Sequence, residues 1–151
     1  MDRNEGLHIK GSFVGVLVKE NGDVETVRKD NLIVDSGFRF VADALCLAAS
    51  RPNVLSHIAV GSGSTAAAAG QTALVTEMLR KAGTYSYNAA TKVVALTTTF
   101  NPGEATGAIT EAGILNAASS GTLFDRLTFA VINKGAADTF TATFTITLSQ
   151  V

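Results

Sequence analysis

Cysteine is almost absent from this 151-residue chain, which contains only Cys46. No internal disulfide can form, so the composition differs from that of a disulfide-held secreted scaffold and favours folding in a reducing cytosol. No segment approaches 18 consecutive apolar residues, and the N-terminal stretch Met1–Gly6 lacks the apolar core of a signal peptide. The sequence therefore predicts a soluble, untargeted protein that does not enter a membrane.

Charged residues are also scarce. Twelve basic and thirteen acidic residues make up 17% of the chain and leave a net charge of −1. This balance offers no electrostatic footprint for nucleic acid or for an anionic membrane. Much of the surface must then be Thr, Ser, Asn, Gly and Ala, and we expect part of it to be covered by a partner. The ordinary alternative is a secreted β-protein with a Thr-rich face.

The clearest pattern that is present is a strict alternation from Thr139 to Leu148. Apolar side chains occupy every even position and threonine occupies every odd one. Because side chains alternate across a strand, this segment predicts a strand with one buried face and one hydroxylated, solvent-facing side. Such strands are typical of antiparallel sheets in sandwiches or barrels.

Turn residues divide most of the remaining chain into further strands. Asn21-Gly22 predicts a type I′ hairpin turn between the first two strands. The strand predictions are 12–18, 24–34, 57–60, 83–88, 92–101, 107–116, 121–133 and 139–148.

Two segments have helical spacing. A helix is predicted to start at Asp35-Ser36-Gly37, to place Phe38, Val41, Leu45 and Ala48 on its apolar face, and to stop at Arg51-Pro52-Asn53. A shorter helix is predicted over Thr72–Lys81, with Glu77 pairing with Lys81.

Together these elements predict a mainly β fold, an antiparallel two-sheet sandwich with one or two short helices inserted in the N-terminal half. A jelly roll is one candidate form of that sandwich. We expect one domain over residues 1–151, with a short N-terminal arm at residues 1–7.

The residues that could carry chemistry are few. Gly61–Ala66 reads G-S-G-S-T-A, formally a dinucleotide-binding glycine pattern, but the βαβ alternation of that fold is missing, so we interpret it as a flexible connecting turn. Cys46 lies in an apolar helical stretch and is predicted to be a buried core residue. Acidic residues are scattered, without metal-ligand spacing. We expect no catalytic residue, cofactor or metal, and hence no enzyme.

Glu111 stands out because it interrupts an apolar strand. We expect it to pair with Arg126 on a neighbouring strand, in a contact that is structural more often than catalytic. Lys134-Gly135 and Asp138 predict the turn that joins the last two strands.

Five segments are informative when they are taken in order along the chain: Asn31–Val34, His57–Thr65, Thr72–Leu74, Gly107–Asn116 and Phe129–Asp138. Together they resemble a family of small structural proteins of tailed bacteriophages and prophages. The likeness covers most of the chain from Asn31 onward.

The resemblance implies a virion component that is made in the host cytoplasm. The favoured role is a capsid decoration or cement protein on the outer capsid surface, which binds across major capsid protein subunits and stabilises the shell. We expect a homo-oligomer, either a dimer or a trimer, and no nucleic acid, membrane or small-molecule partner. Because termini and loops tend to carry function, the candidate interface residues are Met1, Asp2, Arg3, Asn4, Arg51, Pro52 and Asn53.

Two other roles remain open. The protein would equally suit a ring or adaptor at the neck, tail or baseplate of a virion. More distantly, it could be a receptor- or carbohydrate-binding β module, although such modules normally expose Trp or Tyr. This chain has no Trp and only Tyr85 and Tyr87.

Overall fold

A computed structural model describes residues 6–151, which form ten β-strands and one α-helix. The elements are β1 (Leu7–Val18), β2 (Val24–Asp30), β3 (Leu32–Ile33), α1 (Asp35–Cys46), β4 (His57–Gly61), β5 (Glu77–Ala82), β6 (Thr84–Asn88), β7 (Val93–Phe100), β8 (Gly107–Leu115), β9 (Leu123–Lys134) and β10 (Thr139–Gln150). Across residues 6–151, no helix has the length and apolar character needed to cross a bilayer.

The strands form two five-stranded antiparallel sheets, which confirms the predicted two-sheet sandwich. The first sheet has the order β2-β1-β10-β7-β6, and the second has the order β3-β9-β8-β4-β5. Four sequential strand pairs lie side by side within a sheet: β1–β2, β4–β5, β6–β7 and β8–β9. The pairs β1–β10, β7–β10, β3–β9 and β4–β8 join strands that are distant in sequence. The jelly-roll form of the sandwich stays a prediction.

The predicted alternation of the last strand is confirmed, and β10 lies at the centre of the first sheet. Phe140, Ala142 and Phe144 are buried in the core between the sheets. On the outer face, Thr143 and Thr141 of β10 form hydroxyl contacts of 3.1 Å with Thr97 and Thr99 of β7. Threonine therefore forms cross-strand pairs on the solvent side while phenylalanine fills the core.

The first hairpin exists, but its turn differs from the prediction. The Gly22 N–H donates to Lys19 O at 2.9 Å, and the Lys19 N–H donates to Asp23 O at 2.8 Å. Gly22 has a φ of +90°, whereas Asn21 is not among the residues with positive φ. A type I′ turn needs positive φ at both central residues, so the type I′ prediction was wrong.

The first predicted helix is confirmed as α1, although it ends at Cys46, before Ala48. The second predicted helix is wrong. Residues Glu77–Ala82 form the strand β5, which pairs with β4. Glu77 pairs with Arg80 at 2.8 Å, and Lys81 instead reaches Glu104 at 2.6 Å. Pairing with β4 and packing of Leu79 on the core override the local helical spacing.

Leu7, which the prediction places in the N-terminal arm, belongs to β1 and pairs with Gln150. Residues 1–5 of the predicted arm lie outside the described residues. The turn between the last two strands is confirmed. There, the Gly135 N–H donates to Asp138 Oδ2 at 2.7 Å, and the Asp138 N–H donates to Gly135 O at 3.2 Å.

A buried carboxyl group lies between the two sheets. Asp125 of β9 is fully buried, close to Gly11 of β1, and accepts a 2.9 Å hydrogen bond from Asn31 Nδ2. Among the described residues, Asp125 Oδ1 and Asn31 Oδ1 are buried without a hydrogen-bond partner. Burial raises the pKa of Asp125 to about 7, against the opposing effect of the bond from Asn31.

We expect this carboxyl group to make the protein less stable as pH rises from about 4 to about 7. In that window the folded state holds a proton that the unfolded chain has lost, so ionisation favours unfolding. The expected fall is about 4 kcal/mol, because each unit of pKa difference corresponds to about 1.4 kcal/mol. Urea unfolding of the wild type and of Asp125→Asn across this range measures it. Equal pH slopes for the two proteins would contradict the assignment.

Candidate functional site

A long connection, residues 62–76 between β4 and β5, covers the outer face of the second sheet. Its Leu74 is buried in a small cluster with Val34, Ala59, Leu115 and Leu123. This cluster is separate from the main core between the sheets. The connection thus forms a third layer over β4, β8 and β9, and we call it the covering loop.

A fully buried ion pair lies between the covering loop and the second sheet. Glu111 of β8 and Arg126 of β9 are both 0% exposed. Arg126 Nε and Nη2 donate to Glu111 Oε2 at 2.9 and 2.7 Å. The predicted pair is therefore confirmed. Both guanidinium donors reach the same carboxylate oxygen, which leaves Oε1 free to accept other hydrogen bonds.

Both members of the pair also hold the covering loop. Glu111 accepts backbone N–H bonds from Gly63 at 3.0 Å, from Val75 at 3.0 Å and from Thr76 at 2.7 Å. Arg126 donates to Thr65 O at 3.0 Å and to Gln71 Oε1 at 2.9 Å. Both ends of the loop are therefore joined to one buried charge pair.

The glycine-rich start of the covering loop is shaped around this carboxylate. A Cβ added at Gly63 would lie 2.4 Å from Glu111 Oε1, and one added at Gly61 would lie 2.6 Å from the same atom. Only glycine at these two positions leaves room for the Glu111 side chain. The pattern that formally matches a phosphate cradle thus surrounds an anion of the protein itself. The predicted connecting loop is confirmed from Ser62 onward, and these hydrogen bonds hold it on the sheet.

The donors around Glu111 decide its charge state. Burial on its own raises the pKa of Glu111, but N–H bonds from Thr76, Val75 and Gly63 and the Arg126 guanidinium together bring that pKa below its ordinary value. The carboxylate is therefore ionised at neutral pH, and the pair is an internal structural contact.

The predicted interface residues fall into two groups. Met1, Asp2, Arg3 and Asn4 lie outside the described residues. Arg51, Pro52 and Asn53 lie in the segment after α1, where Arg51 and Asn53 are exposed and Pro52 is partly buried. Arg51 Nη2 donates to Ala44 O, near the end of α1. Arg51 therefore orders the segment 47–56 against the helix that precedes it.

An exposed apolar surface adjoins this segment in sequence, and sequence reasoning missed it. Four large apolar side chains on α1 and in the residues that follow it are exposed; we call them the α1 patch: Phe38 (58% exposed), Leu45 (68%), Leu47 (37%) and Val54 (75%). Phe38 and Leu45 had been predicted to face the core. The core-facing side of α1 instead carries Phe40 and Val41.

The core-facing side of α1 corresponds to a second apolar stripe in the sequence. Gly37, Phe40, Val41 and Ala44 follow the i, i+3, i+4, i+7 spacing of one helix face. Gly37 is buried against β9, and the Phe40 and Phe124 rings meet edge to face at 5.9 Å. A short helix can pack only one of its faces on the sheet, so part of the other apolar stripe is exposed to solvent.

The remaining candidates for chemistry are dispersed. Cys46 is exposed at the end of α1, so the predicted core role is wrong. His57 Nδ1 shares a 2.8 Å hydrogen bond with the neighbouring Ser56 hydroxyl. Within residues 6–151, no group of three His, Cys, Asp or Glu side chains is placed to hold a metal ion.

No protein-family model, curated protein or solved structure matches this chain.

We expect the Glu111–Arg126 pair to be essential for the covering loop. Glu111→Gln leaves a buried guanidinium without its charge partner, which typically costs about 3–5 kcal/mol of unfolding free energy. Urea unfolding measures the loss. Thermolysin, which cuts before apolar residues, should cleave within residues 62–76 faster in the variant than in the wild type.

Two controls make this prediction specific. Asp30→Asn breaks the exposed Lys10–Asp30 pair and should leave stability nearly unchanged. The double variant Glu111→Gln with Arg126→Met should be less destabilised than Glu111→Gln, because no unpaired charge remains while the amide oxygen still accepts from the loop N–H groups. A Glu111→Gln protein as stable as Asp30→Asn would refute the role of the pair.

Proposed function

We propose that this protein is a structural component of a tailed-bacteriophage virion. Its favoured role is a capsid decoration protein that binds across major capsid protein subunits on the outer surface of the shell and stabilises it. The protein acts by contact and not by catalysis. This proposal rests on the resemblance of its segments to small phage structural proteins and on one structural observation, the α1 patch.

The α1 patch supports a role in binding another protein. Its members Phe38, Leu45 and Val54 are each more than half exposed, although all three are large and apolar. Exposed apolar residues that occur singly are ordinary. Phe38 and Leu45, however, are seven residues apart on α1 and so share one helix face, and an apolar helix face in solvent is typical of contact surfaces. Arg51 and Asn53 lie within the same stretch and would supply polar contacts at the rim of such an interface.

The outer face of the first sheet is nearly neutral, which favours a partner that binds without strong electrostatic attraction. Its centre consists of threonine hydroxyls on β10 and β7, with Ser12, Val14 and Val16 on β1. Charged side chains on this face occur towards its border, where Lys10 pairs with Asp30 at 3.0 Å. A neutral face of this kind favours partners selected by shape.

A second virion role agrees with the same features, namely a ring or adaptor at the neck, tail or baseplate. The two roles differ in copy number. A decoration protein is present in hundreds of copies per particle, whereas a ring protein is present in a few rings. A receptor- or carbohydrate-binding module is the more distant alternative and would require that the exposed Tyr85 and Tyr87 bind a ligand.

We expect quantitative mass spectrometry of purified particles to find hundreds of copies, counted against the major capsid protein. Six to a few dozen copies would place the protein at the neck or tail. Absence from particles would overturn the virion role altogether.

We also expect the α1 patch to carry capsid binding. Leu45→Glu with Val54→Glu places two charges in the patch and should weaken binding to particles that lack the protein by about tenfold or more. The matched control is Val24→Glu on β2, where the native side chain is 60% exposed, and it should bind like the wild type. Co-sedimentation with particles measures both. Equal binding by the patch variant and the wild type would contradict the assigned surface.

A further inference from the structure

The two sheets have four edges, and three of them are protected against pairing with another strand. β3 is only two residues long. β2 carries Glu25, Arg28, Lys29 and Asp30, and β5 carries Glu77, Arg80 and Lys81. Short length and charge are the usual means by which proteins keep sheet edges from associating.

The fourth edge, β6, has neither kind of protection. It is five residues long, all five are exposed, and its sequence Thr-Tyr-Ser-Tyr-Asn contains no charge and no proline. Charge is absent over residues 82–91 as a whole. β6 pairs with β7 on one side and has no described strand on the other. Its free side therefore offers unpaired backbone donors and acceptors to an incoming strand.

The side chains of β6 indicate that something covers this edge. Tyr85 pairs with Leu96 and Tyr87 pairs with Val94, so both rings lie on the core side of the first sheet. Leu96 is buried, but Tyr85 is 66% exposed and Tyr87 is 49% exposed. The first sheet thus extends at this edge beyond the cover that the second sheet provides, and two aromatic rings are left in solvent.

We propose that β6 is a self-association edge, where two copies of this chain pair antiparallel about a two-fold axis at Ser86. The two first sheets then form one continuous sheet of ten strands. In this register Tyr85 lies opposite Tyr87 of the second copy, and Tyr87 lies opposite Tyr85. On the other face Ser86 lies opposite itself, and Thr84 lies opposite Asn88 of the second copy.

A second copy fits this edge for three reasons. The strand is neutral, so self-pairing brings no like charges together within β6. The register places aromatic rings opposite one another, and such cross-strand pairs stabilise antiparallel sheets. Finally, a two-fold pairing is closed, because each copy uses its only unprotected described edge and leaves none for further growth.

This inference identifies a surface for the homo-oligomer that the sequence analysis predicts, and it does not depend on the virion role. Particle stoichiometry tests that role, whereas the experiment below uses purified protein alone. Failure of one therefore leaves the other standing.

Sedimentation velocity of the full chain, from micromolar to several hundred micromolar, tests the pairing. We expect a concentration-dependent dimer for the wild type and a monomer for Ser86→Lys, which places two lysines opposite each other at the axis. The matched control is Thr26→Lys on β2, an exposed position on the opposite edge of the same sheet. It should dimerise like the wild type.

Cross-linking gives a readout that does not depend on how Ser86→Lys folds. In a Cys46→Ser background, Ser86→Cys should form a disulfide-linked dimer under mild oxidation. Directly opposed antiparallel residues have Cα atoms about 4.5–5.5 Å apart, within the range that a disulfide spans. Thr26→Cys in the same background should stay unlinked. A wild type that is monomeric throughout, a Ser86→Lys dimer, or equal cross-linking at both positions would each overturn the proposal.

Discussion

The fold depends most on one buried contact, the Glu111–Arg126 pair. Its members lie on adjacent strands and are fully buried, so each charge would be very costly without the other. Their remaining hydrogen bonds go to the backbone and side chains of the covering loop. The loop contains no regular helix or strand, and its own polar backbone groups need partners once it packs on the sheet. The pair supplies several of these partners. The contacts that satisfy the two buried charges therefore also hold the loop on the sheet.

The two buried acids of β8 and β9 show how the number of donors decides ionisation. Glu111 accepts bonds from three backbone N–H groups and a guanidinium, and these overcome the cost of burial, so that its pKa is lowered. Asp125 receives one amide bond from Asn31, burial prevails, and its pKa rises to about 7. Both side chains are fully buried, and their pKa values nevertheless shift in opposite directions. The first acid is a fixed charge that organises the covering loop, whereas the second lowers the stability of the fold as pH rises from about 4 to about 7.

Prediction from the sequence was most accurate where a residue pattern is compatible with only one local structure. The alternation in β10 and the isolated acid Glu111 led to the correct strand and the correct ion pair. It was wrong where the same residue pattern is compatible with two different structures. α1 has two apolar stripes, and only packing on β9 decides that Phe40 is covered and Phe38 is not. Residues 77–81 have helical spacing, but pairing with β4 makes them a strand. The α1 patch was missed for the same reason, because exposure of an apolar residue is a tertiary property.

Charged and neutral surfaces are separated on this molecule. Charge protects β2 and β5, while the outer face of the first sheet is neutral and β6 is both neutral and aromatic. A protein that assembles by contact needs one surface for its own copies and another for its partner. With β6 used between copies, each dimer presents two α1 patches. On the repeating capsid surface that we propose as the partner, two linked patches would bind with an affinity well above that of either one, because the second contact forms within a complex that already exists. Each patch can then be small, and the α1 patch consists of only four exposed apolar side chains on one helix and the segment that follows it.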